Sequence, residues 1–286
     1  MTRIERALSA AIARTEAPGS PPLLVEALRY AVFPKGSRIR PKLCLAVASA
    51  CGDPLPGVTD AAAAAVEFLH CASLIHDDLP CFDDADTRRG RPSVHRAFGQ
   101  PLAVLAGDTL IVLAFETLAR EAVAAPHLLA PLILCVGQGV GAPFGLCAGQ
   151  AWESEPKIDV AAYHRAKTGA LFVAAAVAGA TAAGSEPAPW RAFGECLGEA
   201  YQVADDIRDA VMDPETLGKP AAQDVALGRP SAVIERGLDG AVHLVEQLVA
   251  GAIAAIPACE RAGDLRALVA SEAQRLLPKG LARRAA

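Results

Sequence analysis

Apolar residues recur along this chain three and four apart, and no stretch alternates with period two. That pattern predicts a succession of helices. A first is predicted over roughly 2–16, ended by EAPGSPP, and a second from Leu23 to about Val32. FPKGSRIRP then leads into KLCLAVASACG, closed by Gly52. Thr59 can cap a long helix from Asp60 to about Asp78, which Pro80 terminates. TRRGRPSVHRAFGQP reads as loop and short helix. Residues 102–123 are apolar on nearly every face, which predicts a central helix. Pro126 and Pro131 bracket the start of another, ending near Gly149, and 151–158 reads as loop. Further helices are predicted over about 159–182, 188–212, 230–256 and 262–276. With no internal repeat or linker, the expectation is one all-α domain over 1–286.

Composition agrees. Aromatics are only 5% and apolar residues 52% of 286, with alanine abundant, as close-packed helices require. A net charge of −5 argues against a nucleic-acid partner. Of the eight cysteines, Cys44, Cys71, Cys135, Cys147 and Cys196 lie in apolar helical runs, and no CxxC occurs. They read as reduced thiols of a cytoplasmic protein. MTRIERALSAAIART carries Glu5 and lacks a signal peptide's apolar core. The longest uncharged run, 169–184, is short for a membrane span and predicts a buried helix without stable membrane insertion.

Charge clustering changes the picture most. Asp77, Asp78, Asp83, Asp84 and Asp86 fall within ten residues, and Arg88, Arg89 and Arg91 follow at once. Two like charges about 4 Å apart repel by roughly 4 kcal/mol at an effective dielectric near 20. A divalent metal neutralises such a group, and the arginines suggest that a phosphate-bearing ligand accompanies it. One helical face cannot hold this cluster, because position 81 is Cys. Asp77 and Asp78 therefore end the helix, and Asp83 or Asp84 folds back from LPCFDD. Farther on, Asp205 and Asp209 share one face with Gln202 near the same stripe, while Asp206 is rotated by about 100°. The plain alternative for this second cluster is a solvated stripe paired with Arg208. Glu67 and His70 form one ExxH; a di-iron bundle needs a second, and none occurs. His76, His95, Asp108, Glu116, Trp152 and Glu153 read as packing or loop anchors.

DDLPCFDDADTRRG followed by QVADDIRD resembles the two aspartate-rich motifs of the trans-prenyl diphosphate synthases. GSRIRP at 36–41, EFLH at 67–70, LAGD at 105–108, KTG at 167–169 and LGKP at 217–220 extend the resemblance over nearly the whole chain. It implies an isoprenoid-synthase bundle of roughly 10–13 helices around a central apolar cavity, acting as a homodimer. Asp77, Asp78 and Asp83, with Asp205, Asp206 and Asp209, would hold three Mg²⁺ ions. Arg88, Lys167 and Lys219 would contact an allylic diphosphate, with Thr168 and Gln202 lining the reaction centre. Arg40, His70 and Arg89 would bind isopentenyl diphosphate. The implied reaction joins the two substrates head to tail.

The chain departs from the family pattern at Ser37, where a lysine for isopentenyl diphosphate is usual; Lys35 or Arg38 could compensate. Gln223 and Arg229 also differ from the pattern. Ser73 and Ala72 lie four and five residues before Asp77, where farnesyl-producing members usually carry an aromatic floor. Ala72 cannot block the tail, so Phe68 and Leu69, a turn deeper, become the next floor. This favours a C20 product. A farnesyl synthase, a non-catalytic subunit and a class I terpene cyclase are the alternatives.

Overall fold

The computed structural model describes residues 1–33, 36–211 and 231–277. Thirteen α-helices occur among them. They are α1 Arg3–Ala13, α2 Pro22–Val32, α3 Ile39–Ala50, α4 Pro56–Asp77, α5 Val94–Phe98, α6 Gln100–Glu121 and α7 Pro126–Val140. The remainder are α8 Leu146–Ala151, α9 Val160–His164, α10 Ala170–Ala182, α11 Trp190–Val211, α12 Ala232–Ala254 and α13 Ala262–Ala273. The fold is all-α, as the periodicity predicts. One two-residue ladder pairs β1 Thr87–Arg88 with β2 Arg91–Pro92. Arg89 and Gly90 form its turn with φ of 55° and 72°, the left-handed pair that matches strand twist in a two-residue hairpin.

Alanine makes the centre. Residues 61–65 of α4 are consecutive buried alanines, and α10 is buried around almost its whole circumference. Side chains this small let α10 pack against α3, α4, α7 and α11 together. Each fully buried Leu or Phe added at those contacts, such as Leu171 and Phe172, stabilises by about 1.5–3 kcal/mol.

Four expectations need correction. The central helix is α10, not the 102–123 segment: α6 buries Ala103, Leu110 and Leu113 but leaves Val104, Leu105 and Val112 exposed. Thr59 does not cap α4, which starts three residues earlier with Pro56 in its first turn; its hydroxyl instead donates to Asp53 Oδ1 at 2.6 Å. The helix predicted to end near Gly149 stops at Val140 and resumes as α8. Cys147 is also exposed rather than core.

Among the described residues, three helices are long and apolar enough to cross a membrane: Pro56–Asp77, Gln100–Ala124 and Ala232–Ala255. Their apolar windows are 78%, 44% and 22% buried within the fold. The first therefore uses its apolar surface as protein core.

Candidate active site

The α4 helix ends where its carboxylates begin. Asp77 is its last residue and Asp78 its C-cap, so both carboxylates oppose the negative end of the helix dipole. The following loop folds back as a closed turn: Asp83 N–H donates to Asp77 O at 3.0 Å, and Ala85 N–H to Asp78 O at 3.1 Å. Of the two candidates, Asp83 joins Asp77. With Glu153 they form a group whose ligand oxygens all lie within 4.8 Å of one another. Asp84 faces the other way, accepting from Arg96 Nη2 at 3.2 Å.

Lys167 occupies this group as a built-in cation. Its Nζ bonds to Glu153 Oε1 and lies 3.9 Å from Asp77 Oδ1. Burial raises the Asp77 pKa, partly offset by Lys167. An all-oxygen, half-buried carboxylate set already holding an ammonium suits a hard divalent cation such as Mg²⁺. Glu153, read from the sequence as an anchor, is thus part of the acidic group, and it also accepts from Tyr163 OH at 2.8 Å. Gln150, not singled out from the sequence, donates to Asp77 Oδ1 at 3.2 Å. The GQ pair at 149–150 was the available signal.

Asp78 has a different environment. It is 2% exposed, and Oδ1 accepts Arg88 Nε at 2.9 Å and Arg88 Nη2 as well. Burial raises its pKa and Arg88 opposes the rise. Arg88, assigned to diphosphate, is therefore held in place by Asp78.

The two aspartate motifs meet through adjacent residues. A π-helical turn at Arg165–Gly169 inserts between α9 and α10 and carries Lys167 and Thr168. While Lys167 reaches the Asp77 group, Thr168 Oγ1 donates to Gln202 Oε1 on α11 at 2.7 Å. Two glycines make this approach possible. A Cβ on Gly149 would lie 2.3 Å from Lys167 N, and one on Gly198 would lie 2.8 Å from Gly169 Cα. On α11, Arg208 Nη2 donates to Asp205 Oδ1 at 3.0 Å, so the predicted Arg208 pairing does form. Gln202 bonds Asp206 at 2.9 Å, across one helical turn.

A second basic group lies at the other edge of α4. Arg40 Nη1 is 3.5 Å from His70 Nε2, and the Arg40 guanidinium stacks on the Phe172 ring 4.8 Å from its centroid. Burial first, then Arg40 and Arg89, hold His70 well below its ordinary pKa, so the ring is neutral. Arg89 rests against Gly36, whose Cβ would meet its Nη1 at 3.0 Å. Arg40, His70 and Arg89 are thereby brought together beside Gly36. Arg38 cannot compensate for Ser37. It is buried, donating to Glu5 at 2.8 Å, Glu67 at 2.6 Å and Val32 O at 2.5 Å. Lys42 Nζ, not foreseen from the sequence, sits 2.8 Å from Ser37 O. Lys35, Lys219, Gln223 and Arg229 lie outside the described residues.

Beside these arginines a small open cleft is lined by Tyr30, Leu74, Ile75, Arg88, Arg89 and Val94. Phe68, Leu69 and Ala72 are buried on α4, and Ser73 is partly exposed.

Known proteins resemble this chain over nearly its whole length. Residues 21–257 match the family model described as polyprenyl synthetase. The chain is 54% identical to a geranylgeranyl diphosphate synthase of Cereibacter sphaeroides, over 99% of this chain and 98% of that one. A Helicobacter pylori geranyltransferase, solved with magnesium and isoprenyl diphosphate, superposes with a TM-score of 0.77 at 29% identity, covering 95% of each chain. The geranylgeranyl pyrophosphate synthetase of Pyrococcus horikoshii gives a TM-score of 0.78 at 27% identity, over 93% of this chain and 94% of that one. This chain belongs to the polyprenyl synthetase family.

Proposed function

We propose that the chain condenses isopentenyl diphosphate with an allylic diphosphate, head to tail, and releases geranylgeranyl diphosphate (C20). The observation carrying this reading is the meeting of both aspartate motifs at Lys167 and Thr168, beside the Arg40–His70–Arg89 group. Asp77 and Asp83, with Glu153 alongside and Asp205 from the second motif, would hold Mg²⁺, three ions being expected with diphosphate bound. When bound, Mg²⁺ neutralises the diphosphate and makes it a leaving group.

Arg88 and Lys167 hold the allylic diphosphate in line with that role, as does Lys219. Asp78 fixes the Arg88 guanidinium in advance, which is electrostatic preorganisation. Arg40, His70 and Arg89 hold the second diphosphate; a neutral His70 contributes a hydrogen bond rather than charge. Breaking the allylic C–O bond leaves a carbocation on the tail and both electrons on the diphosphate. The isopentenyl double bond attacks that cation, and the departed diphosphate accepts the proton then lost. Helices with apolar inner faces exclude water that would otherwise trap the cation.

Ala72 supports the C20 length, because a methyl one turn before Asp77 leaves the tail path open. Replacing Ala72 by Tyr should shorten the product towards C15, read by chromatography of the dephosphorylated alcohols. An unchanged length would show that this face of α4 does not line the tail. We further propose a cytoplasmic homodimer assembled on the exposed apolar face of α6.

A further inference from the structure

We propose that Asp206 is a positioning residue that sets the polarity of the Thr168 hydroxyl, and that it does not ligate metal. The proposal rests on the reading that Thr168 and Gln202 line the reaction centre. Asp206 is 5% exposed, and both of its oxygens are engaged. Oδ1 accepts Gln202 Nε2 at 2.9 Å, and Oδ2 accepts the backbone N–H of Ala232, the first residue of α12, at 2.8 Å.

Donor and acceptor chemistry fixes everything upstream. An ionised carboxylate only accepts, so the NH₂ of Gln202 must face Asp206 and its Oε1 must face Thr168. Thr168 then has one available arrangement: its hydrogen points at Gln202 Oε1, 2.7 Å away. Its oxygen presents only lone pairs to any other group. Lone pairs suit a neighbouring allylic carbocation; an O–H hydrogen would repel it. The charge of a buried carboxylate is in this way relayed through an amide to a hydroxyl on the π turn. The Ala232 anchor also ties the start of α12 to the same chain of bonds.

Polarity reversal tests the relay. In Asp206→Asn the amide oxygen remains for Ala232, and the new NH₂ turns towards Gln202. Gln202 must then flip, presenting NH₂ to Thr168 and turning the hydroxyl hydrogen outward. The expected result is a fall in kcat of roughly tenfold to a hundredfold, with little change in either KM. Gln202→Glu, which leaves the Ala232 anchor untouched, opposes two carboxylates and should also slow the reaction. The double variant Q202E/D206N restores an acceptor at 202 and a donor at 206, and should recover kcat to within a few-fold of wild type.

Metal binding is read separately, as the rise in thermal midpoint that Mg²⁺ with inorganic pyrophosphate produces. D206N should retain that rise, and Asp205→Asn should reduce it. A double variant as slow as the worse single, or a D206N protein that loses the Mg²⁺-dependent rise, overturns the proposal. Absence of elongation by the wild-type chain would instead contradict the assigned reaction, a different result.

Discussion

Asp78 and His70 show how the site's residues differ in kind although the sequence presents them alike. Asp78 is one of five neighbouring aspartates, yet it is buried and locked to Arg88. Replacing Asp78 by Asn leaves Arg88 without its buried partner and should destabilise by about 2–3 kcal/mol, measured by urea unfolding. Asp83→Asn, by contrast, should leave stability almost unchanged while cutting turnover about a hundredfold or more. His70 carries a pH signature. Its folded pKa lies below the ordinary 6.5, so the unfolded chain binds its proton first as acid is added. That contribution to stability is complete above about 6.5 and is lost progressively below it. The thermal midpoint of wild type should therefore fall more steeply than that of His70→Gln between pH 7 and pH 5. Which aspartates were acidic ligands and which were anchors was not legible in sequence, because burial and the partner's approach decide it. Spacing did show that Cys81 breaks the helical face and that a residue must fold back, and the loop hydrogen bonds select Asp83.

Among elements, the π turn at Arg165–Gly169 does most to join the two motifs. The sequence pattern placed one helix over about 159–182, and the chain does run helically there. Period alone cannot reveal the extra residue that aims Lys167 one way and Thr168 the other. Nor could it reveal that Gly149 is a contact point, since that glycine read only as a helix end. Its Cβ would strike Lys167 backbone, which cannot yield as a side-chain tip could. Gly149→Ala should destabilise by about 2 kcal/mol and lower kcat by displacing Lys167. Normal kcat in a folded Gly149→Ala protein would show that the close approach is dispensable. The misplacement of the central helix has a similar cause. An all-round apolar pattern marks burial by something, and α6 exposes Leu105 and Val112 where α10 is enclosed by its own chain.

At the scale of the whole molecule, the proposed homodimer would cover that exposed stripe on α6. Leu105→Asp with Val112→Asp should convert a dimer, measured by light scattering, to the 29.5 kDa monomer; a wild-type monomer would contradict the assembly. The architecture itself was readable because alanine-rich helical periodicity and two distant acidic motifs both survive as sequence signals. The Arg40–His70–Arg89 group was less so, since burial against Glu5 and Glu67 removes Arg38, one of the two candidates to compensate for Ser37. Everything converges on one reaction, and one measurement addresses it. Purified chain is incubated with Mg²⁺, isopentenyl diphosphate and, separately, dimethylallyl, geranyl or farnesyl diphosphate, and the product length is determined. The account predicts a linear C20 diphosphate as the end product; no elongation with any starter, or a cyclic hydrocarbon in its place, would contradict it.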